Sequence, residues 1–248
     1  MRRHEGQHVS TRFEELDWCP TPIGPLSLRR RKALGSEIDV YEIKLGEEFL
    51  MSSLFTVAEV ELARLGLAAA SGVELDVVVG GLGLGYTADA VLDDPRVRSL
   101  VVVDALAEVI EWHRRGLLPL SERLTTDPRC RLVCGDFFAM FDRDAAGLDP
   151  ENPGRRFNAI LVDIDHSPRE VLAPGNAAFY GPSGLRRVTG HLRPGGIFAL
   201  WSNAPPDDEF LAALREVFSS ARSHVVSFPN PLQNRDATNT VYVATTVT

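Results

Sequence analysis

The sequence predicts an α/β protein: a mostly parallel sheet covered by helices on both faces, preceded by a small antiparallel β appendage. Three observations carry this prediction. Short apolar runs alternate with helical patterns from residue 75 onward. The first of those runs opens into a glycine-rich loop, Gly80-Gly81-Leu82-Gly83-Leu84-Gly85. The later runs end on Asp104, Gly135-Asp136, Asp163 and Ser202, so polar groups converge on the carboxyl ends of the strands, where such sheets bind ligands.

Taken in order, residues 1–22 read as a polar N-terminal segment. Thr21-Pro22-Ile23-Gly24-Pro25 reads as a turn, and two alternating runs, Leu26–Arg31 and Ile38–Ile43, flank a hairpin turn at Leu34-Gly35-Ser36-Glu37. Residues 23–50 therefore form the appendage, and the basic run Arg29–Lys32 covers its solvated face. The remaining 51–248 form the larger domain. Phe55, Val57, Val60, Leu62, Leu65 and Leu67 are spaced as the apolar face of a helix that ends at Gly72. Strands follow at Leu75–Val79, Ser99–Val103, Arg131–Cys134, Phe157–Val162 and Ile197–Trp201, with two more at His224–Phe228 and Thr240–Thr245, seven in all. Helices are predicted over Tyr86–Leu92, Ala105–Arg115, Ser183–His191 and Asp208–Ser219.

The 248 residues carry 44% hydrophobic and 24% charged side chains, ordinary for a chain with one substantial core. A net charge of −8 argues against nucleic acid or an anionic membrane as partner and is compatible with a cationic substrate. No apolar stretch approaches the ~18 residues of a membrane span, and the first 20 residues lack the apolar core of a signal peptide. Cys19, Cys130 and Cys134 form neither a disulfide framework nor a zinc site, so a cytoplasmic location is expected and no metal.

The glycine loop lets backbone approach a ligand closely and presents the amides of the following helix start. It is not the nicotinamide fingerprint, because Tyr86 stands where a third glycine is needed after Gly81 and Gly83. Asp104 ends the next strand, 19 residues after Gly85. A carboxylate there suits the two hydroxyls of a ribose, or caps the next helix. Asp136, beside Phe137 and Phe138, suits an adenine amine or a turn. Asp163 and Asp165 stand two residues apart in Asp163-Ile164-Asp165-His166-Ser167-Pro168, placed to attract an amine or remove its proton, with His166 as a further candidate base. Ser202 and Asn203 end the fifth strand on the side of a second substrate. Asp207-Asp208-Glu209 reads as a helix start, Trp18, Trp112 and Trp201 as packed residues, and Ile164–Gly181 as a candidate lid.

Together these residues resemble the class I S-adenosylmethionine-dependent methyltransferase fold and, more narrowly, the spermidine synthase (polyamine aminopropyltransferase) family. The resemblance covers roughly residues 23–246 and includes Ala178-Phe179-Tyr180, Leu192-Arg193-Pro194-Gly195-Gly196-Ile197 and the β appendage. It implies a sulfonium nucleoside donor held by Gly80, Gly81, Gly83, Gly85, Asp104, Asp136 and Phe137, with Asp163, Asp165 and His166 as the catalytic set. It implies aminopropyl transfer from decarboxylated S-adenosylmethionine to an amine acceptor, releasing methylthioadenosine, and a homodimer. The sequence departs from the family at three places. Gly83 stands where the loop usually has an acid. The second acid of the usual Asp-Ser-Ser/Thr-Asp-Pro is shifted to Asp165 or replaced by His166. No Tyr-His-Glu segment is evident, Glu47–Ser53 standing in its place. These departures keep open a methyltransferase using intact S-adenosylmethionine, and a nucleotide-fold binding protein without turnover.

Overall fold

The computed structural model describes residues 13–33, 35–142, 145–230, 233 and 235–248. The chain divides into two compact units, residues 1–54 and 55–248.

The first unit is a four-stranded antiparallel sheet in the order β1 (Phe13–Thr21), β2 (Gly24–Lys32), β3 (Asp39–Leu45), β4 (Glu48–Ser52). β1 falls inside the stretch read as a polar N-terminal segment, whose first 12 residues, like Leu34 of the predicted turn, lie outside the described residues. β1 forms because its polar residues have partners across the ladder. Glu14 stands opposite Arg30 and Glu15 opposite Arg29, and the Glu14–Arg30 ion pair closes to 2.5 Å. Arg31 pairs with Glu42 at 2.7 Å and Lys32 with Asp39 at 3.0 Å. The basic run is thus neutralised strand by strand rather than merely solvated.

The second unit carries a seven-stranded sheet in the order β10-β11-β9-β8-β5-β6-β7. Its strands are β5 (Leu75–Gly80), β6 (Val97–Asp104), β7 (Cys130–Cys134), β8 (Phe157–Val162), β9 (Leu192–Ser202), β10 (Ser220–Asn230) and β11 (Arg235–Thr245). β5 to β9 run parallel; β11 is antiparallel to β9, and β10 to β11. This is the class I methyltransferase topology. The helices are α1 (Val57–Ala69), α2 (Tyr86–Leu92), α3 (Ala107–Arg114), α4 (Ser121–Thr126), α5 (Pro182–His191) and α6 (Asp208–Val217). The short α4 has no counterpart in the sequence reading, and β9 starts five residues earlier than expected, running through Pro194-Gly195-Gly196.

The central strands are buried on both faces, which is why they read as unbroken apolar runs. On one face Val78, Val101, Val103, Ile160, Val162, Phe198 and Leu200 join Phe137, Phe141, Phe179, Leu185, Phe210 and Tyr242 in a single core. On the other, α1 comes close enough that a Cβ on Gly66 would sit 2.7 Å from Leu161. α1 therefore buries Ala58, Glu59, Leu62, Ala63, Gly66 and Leu67, not the Val57, Val60 and Leu65 of the expected face; Val57 is exposed.

At the amino ends of the strands, β5 places Asp76 among cations. Its carboxylate accepts from Arg98 (2.5 Å), Arg155 (2.8 Å), Arg193 (2.8 Å) and Ser99 (2.8 Å). Buried Asp149 joins the cluster through Arg131 and through Arg155 at 2.9 Å.

Candidate active site

The order of the parallel strands reverses between β5 and β8, so a crevice opens beyond their carboxyl ends. The two strands stay together past their formal ends, Asp163 donating its backbone N–H to the Gly80 carbonyl at 2.8 Å. Gly81 follows at φ +94°, where a Cβ would lie 2.0 Å from the Asp163 carbonyl oxygen. Only glycine fits a backbone so close.

The loop is clamped from β6 and α3. Asp104 Oδ2 accepts from the amides of Leu82 (2.9 Å) and Gly83 (3.4 Å), and Oδ1 from Leu106 (2.8 Å). It both holds the loop and caps the following turn. Burial pushes its carboxyl upward against these three amide bonds. Acceptor capacity remains, since a carboxylate offers about four lone-pair sites. From the other side, buried His113 on α3 bonds the Gly83 carbonyl through Nε2 at 2.9 Å, and its ring lies against Gly85. Burial pushes its imidazole downward, so the neutral form is favoured.

Asp136 lies exposed after β7, its Oδ1 accepting from the amides of Phe138 (3.0 Å) and Ala139 (3.2 Å). That is the turn geometry, with Oδ2 turned to neither amide. Phe137, expected beside a nucleotide, is instead a core residue 2% exposed; its ring stacks edge-on with Phe141 and Phe179 and passes under Gly80. Its ring packs against the end of β5 where the glycine loop begins.

The two acids after β8 have separate surroundings. Asp163 is half-buried, and its Oδ2 accepts from the Thr87 hydroxyl on α2 at 2.7 Å. Burial raises its carboxyl above the usual range, Thr87 opposing the rise. Asp165 is 1% exposed. It accepts from Leu172 N (2.7 Å), Asn176 Nδ2 (3.0 Å) and Tyr180 Oη (2.7 Å). Asp165, expected in the catalytic set, thus holds Ile164–Gly181 in shape from beneath, because the donors that saturate it come from that segment itself. Asp165→Ala strands the Tyr180 hydroxyl and two further donors. The expected cost is about 2 kcal/mol of stability, with selective exposure of residues 166–181. Limited proteolysis and amide exchange across that segment measure it.

The Ile164–Gly181 segment is also tied outward, Arg169 gripping Asp207 (2.5 and 3.0 Å) and Glu209 (2.7 Å). Asp207 caps α6 through the amides of Glu209 and Phe210, as its position at a helix start predicts. His166 is half-buried, and its carbonyl accepts from the Asn203 amide at 2.7 Å. Ser202 is fully buried and Asn203 is paired to Asn239. Trp112 is core, Trp201 half-buried, Trp18 exposed. Among the described residues no group of three or more His, Cys, Asp or Glu is placed to hold a metal, and no helix is long and apolar enough to cross a membrane.

One acid went unread. Glu59 on α1 is 9% exposed, and its carbonyl accepts from the same Thr87 hydroxyl that bonds Asp163 (3.3 Å). Burial, and then the charge of Asp163, push its carboxyl far above the usual range. The available signal was spacing, since Glu59, Leu62, Ala63, Gly66 and Leu67 fall on one helical face.

No family model matches the chain. Among curated proteins it is similar to polyamine aminopropyltransferase 2 of Pseudomonas aeruginosa, 28% identical over 169 residues, covering 64% of this chain and 44% of that protein. The chain therefore spans less than half the length of the curated relative it matches. Among solved structures it is similar to spermidine synthase from Thermotoga maritima, with a TM-score of 0.68 at 16% identity, covering 93% of this chain and 72% of the other. A spermidine synthase in complex with the transition-state analogue AdoDATO gives the same TM-score of 0.68, identity of 16% and coverages. The fold is shared with these enzymes, and the resemblance read from the motifs is met by relatives of the same description.

Proposed function

We propose that this protein transfers an aminopropyl group from decarboxylated S-adenosylmethionine to an amine acceptor and releases methylthioadenosine. The observation that carries the reading is Asp163: a carboxyl at the strand-order reversal, beside the glycine loop, bonded among the described residues by a single hydroxyl and lifted by burial toward neutral pH. Such a group can accept the proton that an amine nucleophile gives up as it attacks. In the proposed step the amine nitrogen forms a bond to the carbon on the donor's positive sulfur. The carbon–sulfur bond breaks with its electron pair going to sulfur, and the proton displaced from nitrogen passes to Asp163. The fixed carboxylate also stabilises the positive charge that grows on nitrogen. Asp104 serves the ribose, Asp136 the adenine amine, and the Gly80–Gly85 backbone the space between them.

The similarity to a polyamine aminopropyltransferase and the shared spermidine synthase fold support this assignment. Cytoplasmic residence and a homodimer built with the β appendage belong to the same reading. Gly83 favours a second reading, a methyltransferase using the intact donor, because no side chain at that loop position opposes a donor carboxylate.

Calorimetric titration with decarboxylated S-adenosylmethionine, S-adenosylmethionine and methylthioadenosine separates the two, followed by mass spectrometry of products from putrescine. Preference for the decarboxylated donor, with a product heavier by one aminopropyl unit, supports the first reading. Preference for the intact donor and no aminopropyl product overturns it. In the same titration Asp104→Ala is expected to weaken donor binding by at least about tenfold, or about 1.4 kcal/mol, since the ribose acceptor and the loop clamp are lost together. Unchanged donor affinity would remove Asp104 from the binding site.

A further inference from the structure

Thr87 is buried, and the chemistry just described gives its hydroxyl no task. A threonine on a helix usually bonds its hydroxyl to the carbonyl three or four residues back. For Thr87, the second residue of α2, those carbonyls belong to Leu84 and Gly83 of the glycine loop, and it bonds neither. Its Oγ1 reaches instead to acceptors on two other elements: Asp163 Oδ2 after β8 at 2.7 Å, and the Glu59 carbonyl of α1 at 3.3 Å. A hydroxyl has one proton to give. The carboxylate is the nearer acceptor and, when ionised, the charged one, so it receives that proton. The Glu59 carbonyl is not left unpaired, since it already accepts within α1. The bond also divides the two oxygens of Asp163. Oδ2 is occupied. Oδ1 makes no bond among the described residues and is not one of the buried side-chain atoms left without a partner, so it is open to solvent. The titratable groups nearby do not replace Thr87. Glu59 of α1 carries the same sign. Asp89 of α2 is turned to Arg123 at 3.1 Å. Asp165 is saturated by Leu172, Asn176 and Tyr180. β5 and β9 end on the uncharged Gly80 and Ser202. Among the described residues no cation acts on Asp163, and Thr87 is the group that favours its charged form.

We infer that Thr87 is a positioning residue for the proposed reaction: its hydroxyl holds Oδ2 of the charged Asp163, so that the proton of the attacking amine goes to Oδ1, and it turns to the Glu59 carbonyl once Asp163 is neutral. The use of Oδ1 rests on the proposed aminopropyl transfer; the bond between Thr87 and Asp163 does not. The balance is simple. The amine nitrogen loses H+ and Oδ1 gains it. Thr87 keeps its own proton throughout and only changes acceptor, so no covalent bond of Thr87 forms or breaks. The placement follows from the chain. α2 starts directly at Gly85, whose φ of +94° turns the glycine loop into the helix. The loop that serves the donor therefore also sets where Thr87 stands, and with it the rotation of the Asp163 carboxylate.

The test is a carbon-13 NMR titration of the full chain labelled at its aspartate carboxyls, the Asp163 signal being the one that Asp163→Asn removes. It is paired with the pH profile of kcat/KM for decarboxylated S-adenosylmethionine and putrescine. Thr87→Val keeps the side-chain shape and removes the hydroxyl. It is expected to raise the Asp163 midpoint by about one pH unit, the scale of a lost hydrogen bond to a charged group. The acid limb of kcat/KM should move upward with it. On the alkaline plateau kcat should fall about tenfold with the donor KM unchanged, because the carboxylate is no longer held in one rotation. Thr87→Ser, which restores the hydroxyl, is expected to return the midpoint and the limb to their wild-type values. Added to Asp163→Asn, Thr87→Val is expected to cost little further turnover, since Thr87 acts through that carboxylate. Should valine prevent folding, Thr87→Ala removes the hydroxyl without adding bulk and is read the same way. An Asp163 midpoint that Thr87→Val leaves in place, or one that Thr87→Ser fails to restore, overturns the inference. A shifted midpoint without any aminopropyl product from the wild type refutes the proposed reaction but not the bond; product formed with an unshifted midpoint refutes the role of Thr87 but not the reaction.

Discussion

Asp163→Asn is expected to lower turnover by about 10²–10⁴-fold, the usual scale for loss of a general base, while donor affinity changes by no more than about twofold. The substitution is nearly isosteric and keeps an oxygen for the Thr87 hydroxyl, so the local fold survives. What disappears is the proton acceptor and the negative charge facing the nitrogen. The pH profile gives the sign. Burial raises the Asp163 carboxyl above the ordinary carboxylate range, so the base is charged only on the alkaline side of that raised value. Wild-type kcat/KM should therefore fall on acidification at a pH well above that of a free aspartate, and this limb should be absent from the residual activity of the variant. Near-normal turnover, or an unchanged acid limb, would assign the proton to another group.

Asp76→Ala is expected to cost about 3 kcal/mol of stability at pH 7, the lower end of the range for breaking a buried ion pair. In a domain of this size that lowers the melting temperature by about 6–12 °C. The lower end applies because Arg98 and Arg193 are half-exposed and recover water when the carboxylate goes, while Arg155 is more enclosed. Desolvation alone would raise the Asp76 carboxyl, but Arg98, Ser99 and Arg155 outweigh it and hold it below the ordinary value. A carboxyl lowered by folding contributes stability that is complete above its unfolded pKa of about 3.9 and is lost as pH falls through the folded value. The gap between wild type and variant should therefore narrow on going from pH 7 into acid, as read from urea denaturation midpoints at each pH. A gap that does not change with pH would mean that packing, not charge, holds this corner.

What the sequence revealed and what it hid divide along physical lines. The strands of the parallel sheet were legible because burial on both faces leaves continuous apolar runs such as Val77-Val78-Val79 and Ala159–Val162. Gly81 and Asp104 were legible because their surroundings depend on neighbours fixed by the βαβ connection. β1 was hidden because its ladder is made of ion pairs rather than alternating apolar residues. The buried face of α1 was hidden because close packing against Leu161 selects Ala58, Ala63 and Gly66, which carry little hydrophobic signal beside Val57 and Val60. Glu59 went with it. Asp163 and Asp165 look alike in sequence, and only the return of Asn176 and Tyr180 from 11 and 15 residues downstream separates a saturated clamp from an acid bonded to the Thr87 hydroxyl.

The distribution of charge over the sheet has a kinetic meaning. The amino ends of the strands gather Arg98, Arg131, Arg155 and Arg193, whereas the carboxyl ends carry Asp104, Asp136, Asp163 and the nearby Glu59. The rear arginines are balanced by Glu74, Asp76, Asp149 and Glu151, so the α/β unit is close to neutral behind and negative in front, on a chain whose net charge is −8. A small cation diffusing past meets no attraction at the rear and is drawn to the mouth of the crevice before any contact forms, so added salt slows its capture more than its escape.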